Sequence, residues 1–203
     1  MNTEERMKID GLNVGPLGTN CYIVYHEGSD QAVVIDPGAD GDRIIQALDG
    51  KKAAAVLLTH GHFDHTGALS AFRDAPIYIH PADEIMLTDP AWSAGEMIRD
   101  YKQRPQATNF VMEGEKLFIA GLEIGVMHVP GHTKGSVAYL IGDTLFTGDT
   151  MFCQGFGRTD FPGGSMLELR QSIHRLLNLK KNWIVCPGHG VTTTLNAERE
   201  FYL

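Results

Sequence analysis

Thr59-His60-Gly61-His62-Phe63-Asp64-His65 places three imidazoles and a carboxylate within six positions. It follows directly on the apolar run Ala53-Ala54-Ala55-Val56-Leu57-Leu58. A run of that length closed by such a polar burst reads as a buried strand that ends in a loop. The strand holds the backbone still, and the loop presents several metal-binding side chains from one small volume. The stretch is therefore read as a metal site, and the rest of the chain is read outward from it.

The chain has 203 residues, 43% of them hydrophobic and 21% charged, which suits a soluble protein with one domain spanning residues 1–203. A net charge of -8 disfavours nucleic-acid or anionic-membrane partners, because both attract basic surfaces. An anionic substrate stays open, since a bound metal reverses the field locally. Cys21, Cys153 and Cys186 are scattered and odd in number, so they form neither a disulfide framework nor a zinc finger. Cys153 is expected to be structural. Met1 to Arg6 carries no apolar signal segment, and no stretch approaches a membrane span. The expected location is the cytoplasm. Oligomeric state is not readable from the chain.

Working outward, Asn20 to Tyr25 and Gln31 to Ile35 read as strands joined by a hairpin loop at Glu27 to Asp30. Asp40 to Leu48 reads as an amphipathic helix with Ile44, Ile45 and Leu48 on its apolar side. Thr66 to Arg73 reads as helix, Pro76 to His80 as strand, and Ala82 to Leu87 as a helical turn. Residues 90–112 resist assignment. Their grouped Arg99, Lys102 and Arg104 read first as a solvated face, and alternatively as the border of a site for an acidic substrate. Strands are expected at 117–119, 122–129, 137–141, 144–147 and 183–186, with a helix over Met166 to Leu177. Similar element orders in the two halves suggest two packed half-domains and an α/β layer arrangement.

Three further polar residues end apolar runs in glycine-containing loops: His132 in Pro130-Gly131-His132, Asp149 in Gly148-Asp149, and His189 in Pro187-Gly188-His189. One histidine after a strand is commonly only hydrogen-bonded structure. His26, His80, His128 and His174 are read that way. Seven candidate ligands in four similar loops, His60, His62, Asp64, His65, His132, Asp149 and His189, are enough for two metal ions. Asp36, ahead of Pro37-Gly38, is either a partner that orients a ligand histidine or a turn former.

His60-Gly61-His62-Phe63-Asp64-His65, with the later His, Asp and His, resembles the metallo-β-lactamase superfamily and, within it, the short glyoxalase II-like hydrolases. The resemblance runs from Asn20 to Gly190. It implies a four-layer αββα sandwich with the site at one edge of two sheets. It also implies that His60, His62 and His132 hold one divalent metal, that Asp64, His65 and His189 hold a second, and that Asp149 bridges them.

Imidazole and carboxylate ligands suit zinc first, with iron or manganese as alternatives. The implied chemistry is attack by a metal-bridging hydroxide on a thioester such as S-lactoylglutathione or a related hydroxyacyl-thiol, with Asp64 orienting the water. Arg158 resembles a basic position that holds the glutathione carboxylate, although a salt bridge to Asp160 explains it equally well. Lys134 is a weaker substrate-binding candidate. The chain resembles the short branch that lacks a C-terminal glutathione-binding helical domain, so the small-molecule thioester is not specified further. The alternative is a mononuclear iron oxidoreductase of the persulfide dioxygenase type, using positions that match His60, His132 and Asp149. β-Lactam hydrolysis is disfavoured, because Asp149 stands where lactamases of this fold commonly have Cys.

Overall fold

The computed structural model describes residues 6–98 and 101–202, and its strands form two six-stranded sheets. The first sheet holds, in spatial as in chain order, β1 (Met7–Val14), β2 (Thr19–His26), β3 (Gln31–Ile35), β4 (Lys52–Leu57), β5 (Ile77–Ile79) and β6 (Asn109–Phe110). The second holds β7 (Lys116–Ile119), β8 (Leu122–His128), β9 (Val137–Ile141), β10 (Thr144–Gly148), β11 (Ile184–Pro187) and β12 (Thr193–Thr194), again in sequence order. Each sheet mixes antiparallel and parallel pairs; β3, β4 and β5 run parallel, as do β10 and β11.

Side-chain alternation along the strands builds three apolar layers. Tyr22 and Val24 face the other sheet, where they join Val126, Tyr139, Phe146 and others. Cys21 and Ile23 face outward onto Ile44, Leu48, Leu69 and Phe72. Leu145 and Val185 face the opposite way, onto Leu169, Ile173 and Leu176 of α3 (Met166–Leu177). Helix, sheet, sheet, helix is the resulting order: the αββα sandwich. Both faces of the central strands are covered, which is why they read as continuous apolar runs rather than alternating ones.

Several expectations are corrected. In α1 (Gly41–Ala47), Ile44 is buried but Ile45 is 45% exposed, so the apolar stripe is narrower than its spacing suggested. The expected helix over 66–73 is two pieces, the single turn α2 (Phe63–Thr66) and a 3₁₀ turn at Leu69–Phe72. Gly67 lies between them with its Cα against the Gly38 carbonyl, a contact that a side chain would block. β1, β6, β12 and α4 (Leu195–Tyr202) were not anticipated. β1 is an edge strand carrying Lys8, Asp10 and Asn13, a composition that protects an edge and hides a strand from pattern reading. β6 and β12 are two residues each, too short for any periodicity. No helix among the described residues is long and apolar enough to cross a membrane.

Candidate metal centre

The carboxyl ends of β3, β4, β8, β10 and β11 supply the loops of the site, as expected for a sheet whose strand ends leave backbone groups free to shape a crevice. The β4 loop carries His60 and His62, and α2 then carries Asp64 and His65 on one turn. His132 follows β8, Asp149 follows β10, and His189 follows β11. Glycine is needed where these loops meet. A Cβ on Gly188 would collide with Asp149 Oδ1 and would come within 2.7 Å of His65. Gly148 has φ +49, and a side chain there would strike Thr59.

All seven sequence-derived residues converge. His62 Nδ1 and His132 Nε2 are 2.8 Å apart, and the His60 and His132 rings lie 4.7 Å apart. His189 Nε2 is 3.2 Å from Asp64 Oδ2 and 3.4 Å from His65 Nε2. Asp149 stands between the groups: Oδ1 is 3.3 Å from His65 Nε2, while Oδ2 is 3.5 Å from His132 and 3.6 Å from His189.

Hydrogen bonding fixes which ring nitrogens face inward. His65 Nδ1 donates to Asp36 Oδ2 at 2.9 Å, and His132 Nδ1 donates to the Arg158 carbonyl at 2.7 Å. Thr59 Oγ1 gives its one proton to Asp36 Oδ2 at 2.6 Å, so at 3.1 Å it accepts from His60 Nδ1. In their neutral forms these three histidines therefore turn Nε2 lone pairs toward one another. His60 Nε2, His62 Nε2 and Asp149 Oδ1 are buried without a hydrogen-bond partner. Buried acceptors left unmatched cost about 1–3 kcal/mol each, and a cation is what relieves such a cluster. The donor set thus fits divalent metals, in the groups His60/His62/His132 and Asp64/His65/His189. A third grouping, Asp36 with His60 and His65, is already joined by the hydrogen bonds just described.

Electrostatics divides the two groups. Burial, with the neighbouring histidines, holds His60 far below the ordinary histidine range, and burial followed by His132 lowers His62 to about 3. For His65, burial opposes charge, but Asp149, Asp64 and Asp36 overcome it and push its pKa well up. His189 is likewise raised against burial, chiefly by its hydrogen bond to Asp64 and by Asp149. Asp64 and Asp149 are held below the usual carboxylate range: burial opposes this, and the adjacent histidines win.

Asp36 is both of the things its sequence context allowed. Its φ of 50 makes the turn, and its buried side chain orients His65 directly and His60 through Thr59. Asp83 was missed. Fully buried in the 3₁₀ turn Pro81–Leu87, it accepts from Gly61 N (3.2 Å), Thr133 Oγ1 (2.6 Å) and Gly135 N (2.7 Å). It thereby ties the first histidine loop to the His132 loop. Burial raises its pKa against these hydrogen bonds. Only its position in a polar turn after a strand could have flagged it. Thr19 was also missed; its hydroxyl donates to Asp64 Oδ2 at 3.1 Å.

The substrate-binding candidates Arg158 and Lys134 lie beside other side chains. Arg158 makes two 2.6 Å contacts with Asp160 and lies over the Phe161 ring. Lys134 stands 5.9 Å from the Trp92 ring centre. Arg104 is no solvated residue: it is 9% exposed, whereas Lys102 is exposed and Arg99 lies outside the described residues. Cys153 is exposed rather than packed, so a structural role for it is corrected. His80 and His128 stack on each other 4.3 Å apart, and His174 meets Asn178, outside the ligand cluster.

Comparison with known proteins agrees with this architecture. The family model described as the metallo-beta-lactamase superfamily matches residues 14–189. Similar curated proteins include the uncharacterized protein Rv2581c of Mycobacterium tuberculosis, 38% identical over 96% of each chain. The probable metallo-hydrolase YqgX of Bacillus subtilis is 36% identical over 96% of this chain and 95% of its own. Hydroxyacylglutathione hydrolase GloC of Haemophilus influenzae is 32% identical over 95% of both. Among solved structures, the BLEG-1 B3 metallo-β-lactamase superposes with a TM-score of 0.88 at 36% identity, over 95% of this chain and 97% of that one. TTHA1623 in a di-iron-bound form gives 0.85 at 34%, covering 95% and 98%. ETHE1 from Myxococcus xanthus gives 0.77 at 29%, covering 96% and 82%.

Proposed function

The chain belongs to the metallo-β-lactamase superfamily, and from that premise we propose that it is a metal-dependent hydrolase of a small-molecule thioester, a hydroxyacyl-thiol such as S-lactoylglutathione or a relative. The observation that carries the reading is the convergence of seven ligand side chains, with His60 Nε2, His62 Nε2 and Asp149 Oδ1 buried and without a hydrogen-bond partner. The likeness to GloC supports the thioester, and the di-iron neighbour supports two ions without deciding between zinc, iron and manganese.

Bound divalent ions would lower the pKa of water to about 7 and polarise the substrate carbonyl. The protein's share is positioning. His60, His62 and His132 would hold one ion and Asp64, His65 and His189 the other, with Asp149 shared between them. Asp36, Thr59 and the Arg158 carbonyl keep the rings turned. Thr19 donates to Asp64 Oδ2, which also faces His189, and this would steady the carboxylate that orients the water. Neither nucleic acid nor membrane enters this proposal.

The test is metal content of protein purified without added metal, read with a thioester panel. About two metals per chain and thiol release are expected; metal-replete protein that releases no thiol defeats the reading. Two other readings have a specific observation behind them. The ETHE1 neighbour favours the mononuclear iron oxidoreductase, for which one iron and oxygen uptake with glutathione persulfide would be measured. The BLEG-1 likeness brings back β-lactam hydrolysis, and ring opening of a chromogenic cephalosporin faster than any thioester would reassign the substrate.

A further inference from the structure

Beside the metal centre lies a cavity of about 460 Å³, the size of a small-molecule site, with Asp64 and Thr19 in its wall. Apolar surface comes from Val14, Leu17, Phe63 and Ile98. Leu17 is 55% exposed, so packing within the chain does not account for it. Two cations share the same wall, Lys102 and Arg104, from the basic group that the metal chemistry leaves unused.

Arg104 is 9% exposed, and its guanidinium lies 4.7 Å from the centre of the Tyr101 ring. Its donors reach Thr66 Oγ1 and the carbonyls of Phe63 and Lys102, none of them a carboxylate. Among the described residues neither cation forms an ion pair. A largely buried guanidinium without a counter-charge is costly unless something else supplies the charge. The acids of the wall do not: Asp40 is paired with Arg43 at 3.0 Å, and Asp64 faces the histidines. Tyr101 Oη is also buried without a partner. Among the described residues, two cations without an ion pair and one unpartnered phenol thus stand at one end of an apolar hollow, in a protein whose net charge is -8.

We propose that this cavity is the specificity site of the enzyme. It takes an apolar substrate arm ending in a carboxylate or phosphate, which meets Lys102, Arg104 and Tyr101 while the reacting bond lies at the metal centre. The proposal rests on the thioester reading only for the identity of that bond. Arg158 does not line this cavity, and its guanidinium is paired with Asp160.

The test is calorimetry on zinc-loaded protein with non-hydrolysable thioethers that share one apolar stem and end in a carboxylate, a phosphate or a methyl ester. At least one anionic probe should bind about tenfold more tightly than the ester, the order of one charge-assisted hydrogen bond. The carboxylate and phosphate arms show which anion is preferred. Lys102 is exposed, so Lys102→Glu should fold and should abolish the preference. Lys116→Ala, which removes a lysine paired with Glu123 on the edge strand β7, should keep it. Equal affinity for the three probes, no binding by any of them, or a preference that survives Lys102→Glu overturns the proposal. Because binding is read without turnover, absence of thioester hydrolysis would defeat the function proposed above and leave this result standing.

Discussion

The two ligand groups lie side by side and are built on opposite principles. His60, His62 and His132 are all nitrogen donors, only 1%, 3% and 2% exposed. Asp64, His65 and His189 combine a carboxylate with two imidazoles, and the Asp64 and His189 side chains are 16% and 23% exposed. Burial keeps His60 and His62 neutral, whereas the carboxylates around the second group favour the protonated forms of His65 and His189. A metal can enter the first group without displacing a proton from His60 or His62, but must expel protons from the second. Burial therefore suits one group to take a cation directly, and the carboxylates suit the other to exchange protons for one.

Removing Asp64 is the harshest way to break that contrast. Asp64→Ala takes the carboxylate from the second group and should lower metal content from about two per chain to about one. Hydrolysis should fall about a thousandfold. Retained activity with one metal would instead show that the first group works alone.

Acidification separates the groups more gently. His65 and His189 have raised pKa values, so proton competition grows as pH falls; His62, at about 3, does not compete in the neutral range. Equilibrium dialysis from pH 8 to 5.5 should therefore empty the second group first. Simultaneous loss of both metals would erase the distinction.

Asp36→Asn reaches both groups, His65 directly and His60 through Thr59. Its cost should be about ten- to a hundredfold in metal affinity or activity, falling harder on the second group, as competition titrations with a chelator would show. Asp83→Ala touches only the loops of the first group. Leaving the Gly61 and Gly135 amides and the Thr133 hydroxyl without their acceptor should cost roughly 2–3 kcal/mol, read as unchanged second-group affinity alongside a lower Tm. The smallest effect is expected from Arg158→Ala, because its pair with Asp160 is exposed: no measurable change in Tm, and less than about a twofold change in KM for an anionic thioester.

Much of this was legible in the chain, for reasons that differ from residue to residue. The ligands are carried by short, glycine-flanked loops after apolar strands, and both features are local. Met166–Leu177 was readable as α3 because a single amphipathic face is encoded within twelve consecutive residues. β1 and α4 were not, since β1 is a polar edge strand and α4 buries only Leu195 and Glu198. Asp83 was invisible because its three partners lie 22, 50 and 52 residues away in the chain. The basic group at 99–104 was misread at Arg104 for a similar reason: it is the α2 turn, far back in sequence, that covers the guanidinium.

By itself, then, the sequence determined the ligand inventory, the layered α/β class and the kind of chemistry, because donor identity and strand-to-loop punctuation are properties of neighbouring residues. Only the tertiary structure decided which nitrogens of His60, His65 and His132 face inward, which way burial and charge push the pKa values of His60, His62, His65 and His189, and which cations line the cavity. Those outcomes depend on hydrogen-bond partners and burial contributed by distant segments: Asp36 on His65, the α2 turn on Arg104, and the cavity beside Asp64 that Lys102 helps to line.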